Sequence, residues 1–77
     1  MYIDETMKIK FVKLGENIRR LREERNITLK ELAQKTEIRI AYLAKIEEGI
    51  AYGVLLEKHL SKIATVLDIR LSEMFDF

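Results

Sequence analysis

The middle of the chain most constrains the fold, because it carries start and stop signals for two short helices joined by a tight turn. Thr28 is followed three residues later by Glu31, and such a capping box satisfies free amides at a helix start. Apolar side chains then recur at helical spacing; they are Leu29, Leu32 and Ala33 before the turn and Leu43, Ile46 and Ile50 after it. Gly49 stands where a left-handed residue ends a helix. The pattern predicts one helix from Leu29 to about Thr36 and another from about Arg39 to Glu48.

Two short helices packed at a steep angle through such a turn form a helix-turn-helix motif, which here spans about residues 28–48. The second helix of this motif can enter the major groove of double-stranded DNA. The pattern therefore favours nucleic-acid binding as a function.

Composition indicates a single helical domain and narrows the function further. A chain of 77 residues has room for one small core, and the lack of proline with only three glycines favours helices nearly end to end. The absence of cysteine excludes disulfides and thiolate metal sites and fits a reducing cytoplasm, which is the location we expect. No apolar run approaches the roughly 20 residues of a membrane span, and the N-terminus has no signal-peptide core, so we expect no membrane partner.

Charge is nearly balanced over the chain but uneven along it. The net charge of +1 argues weakly against indiscriminate nucleic-acid binding, so any DNA contact must come from local charge. Residues 8–25 carry seven basic side chains against three acidic ones. This stretch is either a solvated helix face with pairs of opposite charge or a strip that binds phosphates.

The whole chain is predicted to be all-α, with five helices after a short leader. Residues 1–10 have no sustained helical pattern, and we expect them to be flexible or to form a short strand. Residues 11–77 form the helix-turn-helix domain. Its helices are expected at about 11–25, 29–36, 39–48, 54–67 and 71–75.

The residues indicate no catalytic, metal or cofactor site. The single histidine, His59, flanks the apolar stripe of the fourth helix, where a surface or boundary position is expected rather than a ligand or a base. Two serines and no cysteine suggest no pair of nucleophile and base. The three glycines are too far apart for a loop that binds phosphate. We therefore expect no enzyme, no cofactor and no small-molecule site.

Four correctly spaced blocks resemble the Cro-like, Xre-type phage-repressor family. They are Leu14-Gly15-Glu16-Asn17-Ile18-Arg19-Arg20-Leu21-Arg22-Glu23-Glu24-Arg25, Thr28-Leu29-Lys30-Glu31-Leu32-Ala33, Ile46-Glu47-Glu48-Gly49 and Ile63-Ala64-Thr65-Val66-Leu67. The resemblance covers most of the chain, from about residue 14 to 75. It implies a compact five-helix bundle acting as a transcription regulator, such as a repressor, that binds an operator in double-stranded DNA as a symmetric homodimer.

The resemblance also implies roles for individual residues. Arg22 on the first helix would form a structural ion pair with Glu47 at the end of the third. The positions that contact base edges hold Arg39, Ile40, Ala41 and Lys45. The candidates for phosphate contacts are Leu29, Lys30 and Arg39.

Several positions depart from the family pattern. Leu29 stands where a glutamine usually touches a phosphate, and it can offer only its backbone amide at a helix N-terminus. On the exposed face of the third helix, Lys45 is the only long basic donor, because the other residues are Ala41, Ala44 and Glu48. The loop of residues 47–57 has no lysine or arginine where the family has phosphate contacts. Glu37 replaces the usual turn glycine, and a positive φ there would carry modest strain.

A second resemblance supplies an alternative function of a different class. The blocks Ile38-Arg39-Ile40-Ala41-Tyr42-Leu43 and Ile46-Glu47-Glu48-Gly49 are similar to the helix-turn-helix of RodZ-type cell-shape proteins. That branch implies docking on a protein, the bacterial actin homologue, without operator reading. Those proteins continue into a membrane helix, so this alternative is disfavoured if the chain is complete and gains weight if it is a fragment.

Large apolar side chains near the C-terminus predict a homodimer. A core this small cannot bury them all, and a contiguous exposed apolar patch usually marks an interface. The candidate interface residues are Tyr52, Val54, Leu55, Phe75 and Phe77. In the alternative, Phe75 and Phe77 close the core and the chain is a monomer.

Overall fold

The computed structural model describes residues 3–53 and 56–77, and all regular structure within these ranges is helical. The helices are α1 (Glu5–Glu24), α2 (Leu29–Thr36), α3 (Ile40–Glu48), α4 (Leu56–Leu67) and α5 (Leu71–Met74). This confirms the predicted all-α, five-helix architecture, in which α2, a tight turn and α3 form the helix-turn-helix. The predicted start of the fourth helix at Val54 lies outside the described residues.

The first helix begins earlier than predicted. We expected a flexible or strand-like leader over residues 1–10 and a helix only from Phe11, and this was wrong because α1 starts at Glu5. Asp4 caps the helix, since its side chain accepts a hydrogen bond of 2.8 Å from the amide of Met7. The carboxylate of Glu5 in the first turn also suits the positive end of the helix dipole.

The apolar residues of the N-terminal segment fit two different periods. Met7, Ile9 and Phe11 alternate with lysines, which is typical of a strand. At helical spacing, however, Met7, Phe11 and Leu14 share one face. Phe11 packs against the core and Leu14 is buried, whereas Ile9 is 55% exposed. The helical period therefore decides which apolar side chains of this segment are covered.

One hydrophobic core holds the five helices together. Each helix contributes at least one side chain that is less than 2% exposed; these are Ile18, Leu32, Leu43, Ile63, Leu67 and Met74. The apolar stripe of α4 faces the core, and its buried residues are Leu56, Leu60, Ile63, Ala64 and Leu67. Burying each large apolar side chain contributes about 1.5–3 kcal/mol.

Two glycines allow α1 and the end of α3 to touch. A Cβ atom on Gly15 would lie 2.5 Å from the carbonyl oxygen of Ile46, and one on Gly49 would lie 2.5 Å from the Cα atom of Val12. Gly49 also has a φ of +79°, so it ends α3 in the left-handed conformation predicted from the sequence. These contacts fix the position of α3 on the body of the domain.

Candidate nucleic-acid interface

The helix-turn-helix is built by local hydrogen bonds. At the start of α2, the hydroxyl of Thr28 accepts a bond of 3.0 Å from the amide of Glu31. The carboxylate of Glu31 in return accepts one of 3.0 Å from the amide of Thr28. The bond from the amide of Thr28 lowers the pKa of the Glu31 carboxyl, because it favours the ionised form. The predicted capping box is confirmed.

The turn between α2 and α3 is short and partly strained. Glu37 has a φ of +60°, the left-handed conformation anticipated for this position. Thr36 supports the turn, since its hydroxyl donates a hydrogen bond of 2.6 Å to the carbonyl of Leu32 and accepts one of 3.3 Å from the amide of Ile38. The side chain of Ile38 is buried, so the turn is anchored in the core.

The outer face of α3 is open to solvent. Leu43, Ile46 and Glu47 point inward and are buried. The predicted base-contact residues all lie on the surface at the start and middle of the helix; they are Arg39, which precedes the first turn, and Ile40, Ala41 and Lys45. Ile40 is 48% exposed. This face is mostly apolar and small, and Lys45 is the long donor on it.

The predicted phosphate-contact residues flank that face. Leu29 is the first residue of α2, and its side chain packs against the core, which leaves its backbone amide at the helix N-terminus. Lys30 and Arg39 are exposed. Within residues 3–53 and 56–77, neither of them has a carboxylate within 4 Å, and the same holds for Lys45. Their charges are therefore available to an anionic partner.

A buried carboxylate ties α3 to α1. The side chain of Glu47 is only 2% exposed, and its Oε2 atom lies 2.7 Å from Nε of Arg22. A second bond of 3.0 Å joins Nη2 of Arg22 to Oε1 of Glu47. These contacts form the ion pair that the family resemblance implied. The hydrogen bond that Arg22 donates to Glu47 raises the pKa of the guanidinium.

The pair is part of a larger group that sequence reasoning missed. Nε of Arg19 lies 3.2 Å from Oε1 of Glu47, and Nη1 of Arg22 donates a bond of 2.8 Å to the carbonyl of Ile27. Arg19 and Arg22 are three residues apart, a spacing that places both on one helix face and could have indicated a shared partner. One carboxylate thus fixes α3 against two arginines, one of which also holds the loop before α2.

A histidine of α4 contacts the other side of α3. The rings of His59 and Tyr42 lie 4.9 Å apart in an edge-to-face arrangement, next to the turn residues. Nδ1 of His59 is buried and makes no hydrogen bond within the part of the chain that the structure describes. Burial lowers the pKa of His59, and the nearby charges of Lys62 and Lys58 lower it further. The boundary position expected for this histidine is confirmed.

The residues predicted to form a dimer interface are exposed where the structure describes them. Tyr52 is 37% exposed and stacks edge to face on Phe11, with their ring centres 4.9 Å apart. Phe75 and Phe77 are 47% and 53% exposed, so they do not close the core. Val54 and Leu55 lie outside the described residues. Leu71 was not among the predicted interface residues, but its side chain is also 37% exposed.

The C-terminal segment is held by one buried amide. Nδ2 of Asn17 donates hydrogen bonds of 3.0 Å to the carbonyl of Met74 and 3.1 Å to that of Asp76. Met74 is fully buried and closes the core in place of the two phenylalanines. Asn17 therefore positions Phe75 and Phe77 at the surface.

Comparison with known proteins identifies the family. The helix-turn-helix model HTH_3 matches residues 18–74, which is most of the chain. The chain belongs to this Xre/Cro-like helix-turn-helix family of DNA-binding transcriptional regulators, which is not an enzyme family. A comparison with curated protein sequences finds no match.

Two solved structures share this fold. The restriction-modification controller protein C.AhdI from Aeromonas hydrophila is 30% identical, with a TM-score of 0.79, over 87% of this chain and 98% of that one. An HTH_3 family transcriptional regulator from Vibrio cholerae is 28% identical, with a TM-score of 0.78, over 90% of this chain and 38% of that one. Of the helices described, none is long and apolar enough to cross a bilayer.

Proposed function

We propose that this chain regulates transcription by reading an operator sequence in double-stranded DNA with α3, as a homodimer. The observation that carries the proposal is the solvent-exposed face of α3, on which Lys45 is free of carboxylate partners among the described residues. A regulator of this kind acts in the compartment that holds the DNA, which in bacteria is the cytoplasm.

In this proposal, different residues of the motif have different tasks. Lys45 reaches base edges, while Ile40 and Ala41 contact thymine methyl groups. Arg39 sits at the edge of the helix and contacts a phosphate or an outer base. The amide of Leu29 and the charge of Lys30 hold a phosphate at the N-terminus of α2.

The small face of α3 gives each protomer few hydrogen bonds with which to discriminate bases. A symmetric dimer doubles them, because it places two recognition helices about one DNA turn, roughly 34 Å, apart. The exposed apolar side chains of Tyr52, Phe75 and Phe77 support such an interface, and Phe11 and Leu71 border the same surface. Val54 and Leu55 complete the proposed set.

The proposal is tested by selecting binding sites from a random duplex pool and measuring affinity for the selected site and for mixed DNA. Lys45→Ala should lower the ratio of the two affinities about thirtyfold or more, since a lost base contact costs about 1 kcal/mol or more and the dimer loses two. Arg39→Ala should instead flatten the salt dependence. Lys13→Ala, which removes an exposed charge of α1, is the control. Unchanged binding in both α3 variants would contradict docking by α3.

The second candidate function is docking on a protein, as the RodZ-type resemblance implies. The observation that favours it is the apolar start of α3, where Ile40 is 48% exposed beside Ala41. A protein-docking surface needs a matching apolar shape rather than hydrogen-bond donors. In the selection experiment it predicts that no duplex sequence is enriched.

A further inference from the structure

The N-terminal half of α1 precedes residue 18, where the match to the family model begins. It nevertheless continues the side of α1 that contacts α3. Arg22 and Arg19 bind Glu47 on this side, and Gly15 touches the backbone at the end of α3. Val12 comes next along the same row and touches Gly49.

Lys8 extends this row by one helical turn. It precedes Val12 by four residues, a spacing that places both on the same helix face. Lys8 is therefore one helical turn from the contact between Val12 and Gly49, where the chain leaves α3. The ring contact between Phe11 and Tyr52 holds this part of α1 against the same loop.

The charge of Lys8 is available to a partner. Its side chain is 51% exposed, and its only carboxylate neighbour within 4 Å in the described part of the chain is Glu5, at 3.8 Å. Glu5 is itself 88% exposed, so this ion pair is solvated and weak.

The loop that follows α3 carries no positive charge of its own. Residues 49–56 contain no lysine or arginine, and Ile50 is 51% exposed. When a recognition helix lies in the major groove, phosphate strands run along both edges of that groove, and the loop at the end of the helix can approach one of them. On the proposed function, that strand would face an uncharged loop with Lys8 as the nearest cation along the row.

From this geometry we infer that α1 is a second DNA-contacting element, in which Lys8 binds a backbone phosphate beside the α3–α4 loop. This inference rests on the proposed function and adds to it a contact outside the helix-turn-helix. The contact carries no sequence information, because it is made to the backbone. Because α1 begins at Glu5, Lys8 lies on the helix and is held near the end of α3.

The test is the salt dependence of binding to mixed duplex DNA. Lys8→Gln should reduce the slope of log affinity against log salt by about 0.9 per protomer, the effect of one phosphate contact. Lys13→Gln is the matched control: it removes the same charge from the same helix, but one residue beyond Val12 and thus about 100° around from the row. It should leave the slope unchanged.

A compensating variant checks the place of the contact. Adding Ile50→Lys to Lys8→Gln puts a cation into the loop and should restore the original slope. The inference is overturned if Lys8→Gln keeps the wild-type slope, or if Lys13→Gln lowers it equally. If the unaltered chain does not bind DNA at all, the proposed function fails, and this inference with it.

Discussion

Glu47 is the residue on which the position of α3 depends most. It is buried and accepts hydrogen bonds from two arginines of α1. Glu47 is on α3 and both of its partners are on α1, so these hydrogen bonds join the two helices. Arg22 is 12% exposed and cannot turn to solvent as easily as Arg19, which is 50% exposed. The ion pair between Glu47 and Arg22 therefore contributes more than the one with Arg19 to holding α3 against α1.

Replacing the carboxylate should destabilise the domain. Glu47→Ala leaves the largely buried side chain of Arg22 without its partner, and we expect a loss of about 2–4 kcal/mol in the free energy of unfolding. Chemical denaturation measures this, with Glu23→Ala as a control at an exposed position of α1. A loss no larger than that of the control would show that the contact is only a surface pair.

His59 should make stability depend on pH. Its pKa is lowered in the folded state, so the folded protein binds a proton less readily than the unfolded chain. The stabilisation from neutral His59 is present above about pH 6.5, the ordinary pKa of histidine, and is lost as the pH falls toward the lower folded value. His59→Phe keeps a ring next to Tyr42 and removes the titration.

Denaturation at pH 7.5 and 5.5 tests this effect. The wild type should lose more stability between the two values than His59→Phe does. His59 is the only histidine of the chain, so no other imidazole can contribute. Equal losses in both proteins would mean that the folded and unfolded states hold the histidine proton equally.

The close contact between α1 and α3 reverses the usual effect of replacing a helical glycine by alanine. Glycine inside a helix usually costs about 0.5–1 kcal/mol relative to alanine. Gly15→Ala should nevertheless destabilise this domain by about 1–3 kcal/mol, because the new Cβ would overlap the backbone of Ile46 and Glu47. Denaturation gives the sign of the change directly, and a stabilised variant would contradict the close packing.

Sequence patterns predicted the helices best where local signals and burial agree. The capping box, the apolar spacing and Gly49 all point to the same bounds, so α2 and α3 were predicted to within about one residue. The start of α1 was missed because Asp4 and the helical spacing of Met7 and Phe11 competed with an alternating pattern. Local periodicity could not decide this, since the deciding fact is which side chains the rest of the fold covers.

Contacts between distant segments of the domain were less predictable from the sequence than the helices were. The resemblance implied the contact between Arg22 and Glu47, but Arg19 and the clamp from Asn17 to the C-terminus depend on distances between segments far apart in sequence. The proposed role of Lys8 likewise depends on the contact of α1 with the loop after α3. Such long-range geometry leaves no local pattern.

The exposed apolar surface predicts that the chain is a dimer in solution. Light scattering should give twice the 9.1 kDa mass of one chain at micromolar concentration. Phe75→Glu should produce a monomer, because it places a charge in the proposed interface. Ile9→Glu alters an exposed apolar residue outside that interface and should leave the dimer intact. A wild type that is monomeric both alone and with DNA would exclude the dimer.

DNA binding by the face of α3 and its flanking cations determines how the affinity of the unaltered chain for mixed duplex DNA changes with salt concentration. Two cationic phosphate contacts per protomer, from Lys30 and Arg39, predict a slope of log affinity against log salt of about −4 for a dimer, and the contact proposed for Lys8 makes it steeper. A slope near zero would mean that the protein contacts no phosphates and would contradict DNA binding by α3 and its flanking cations.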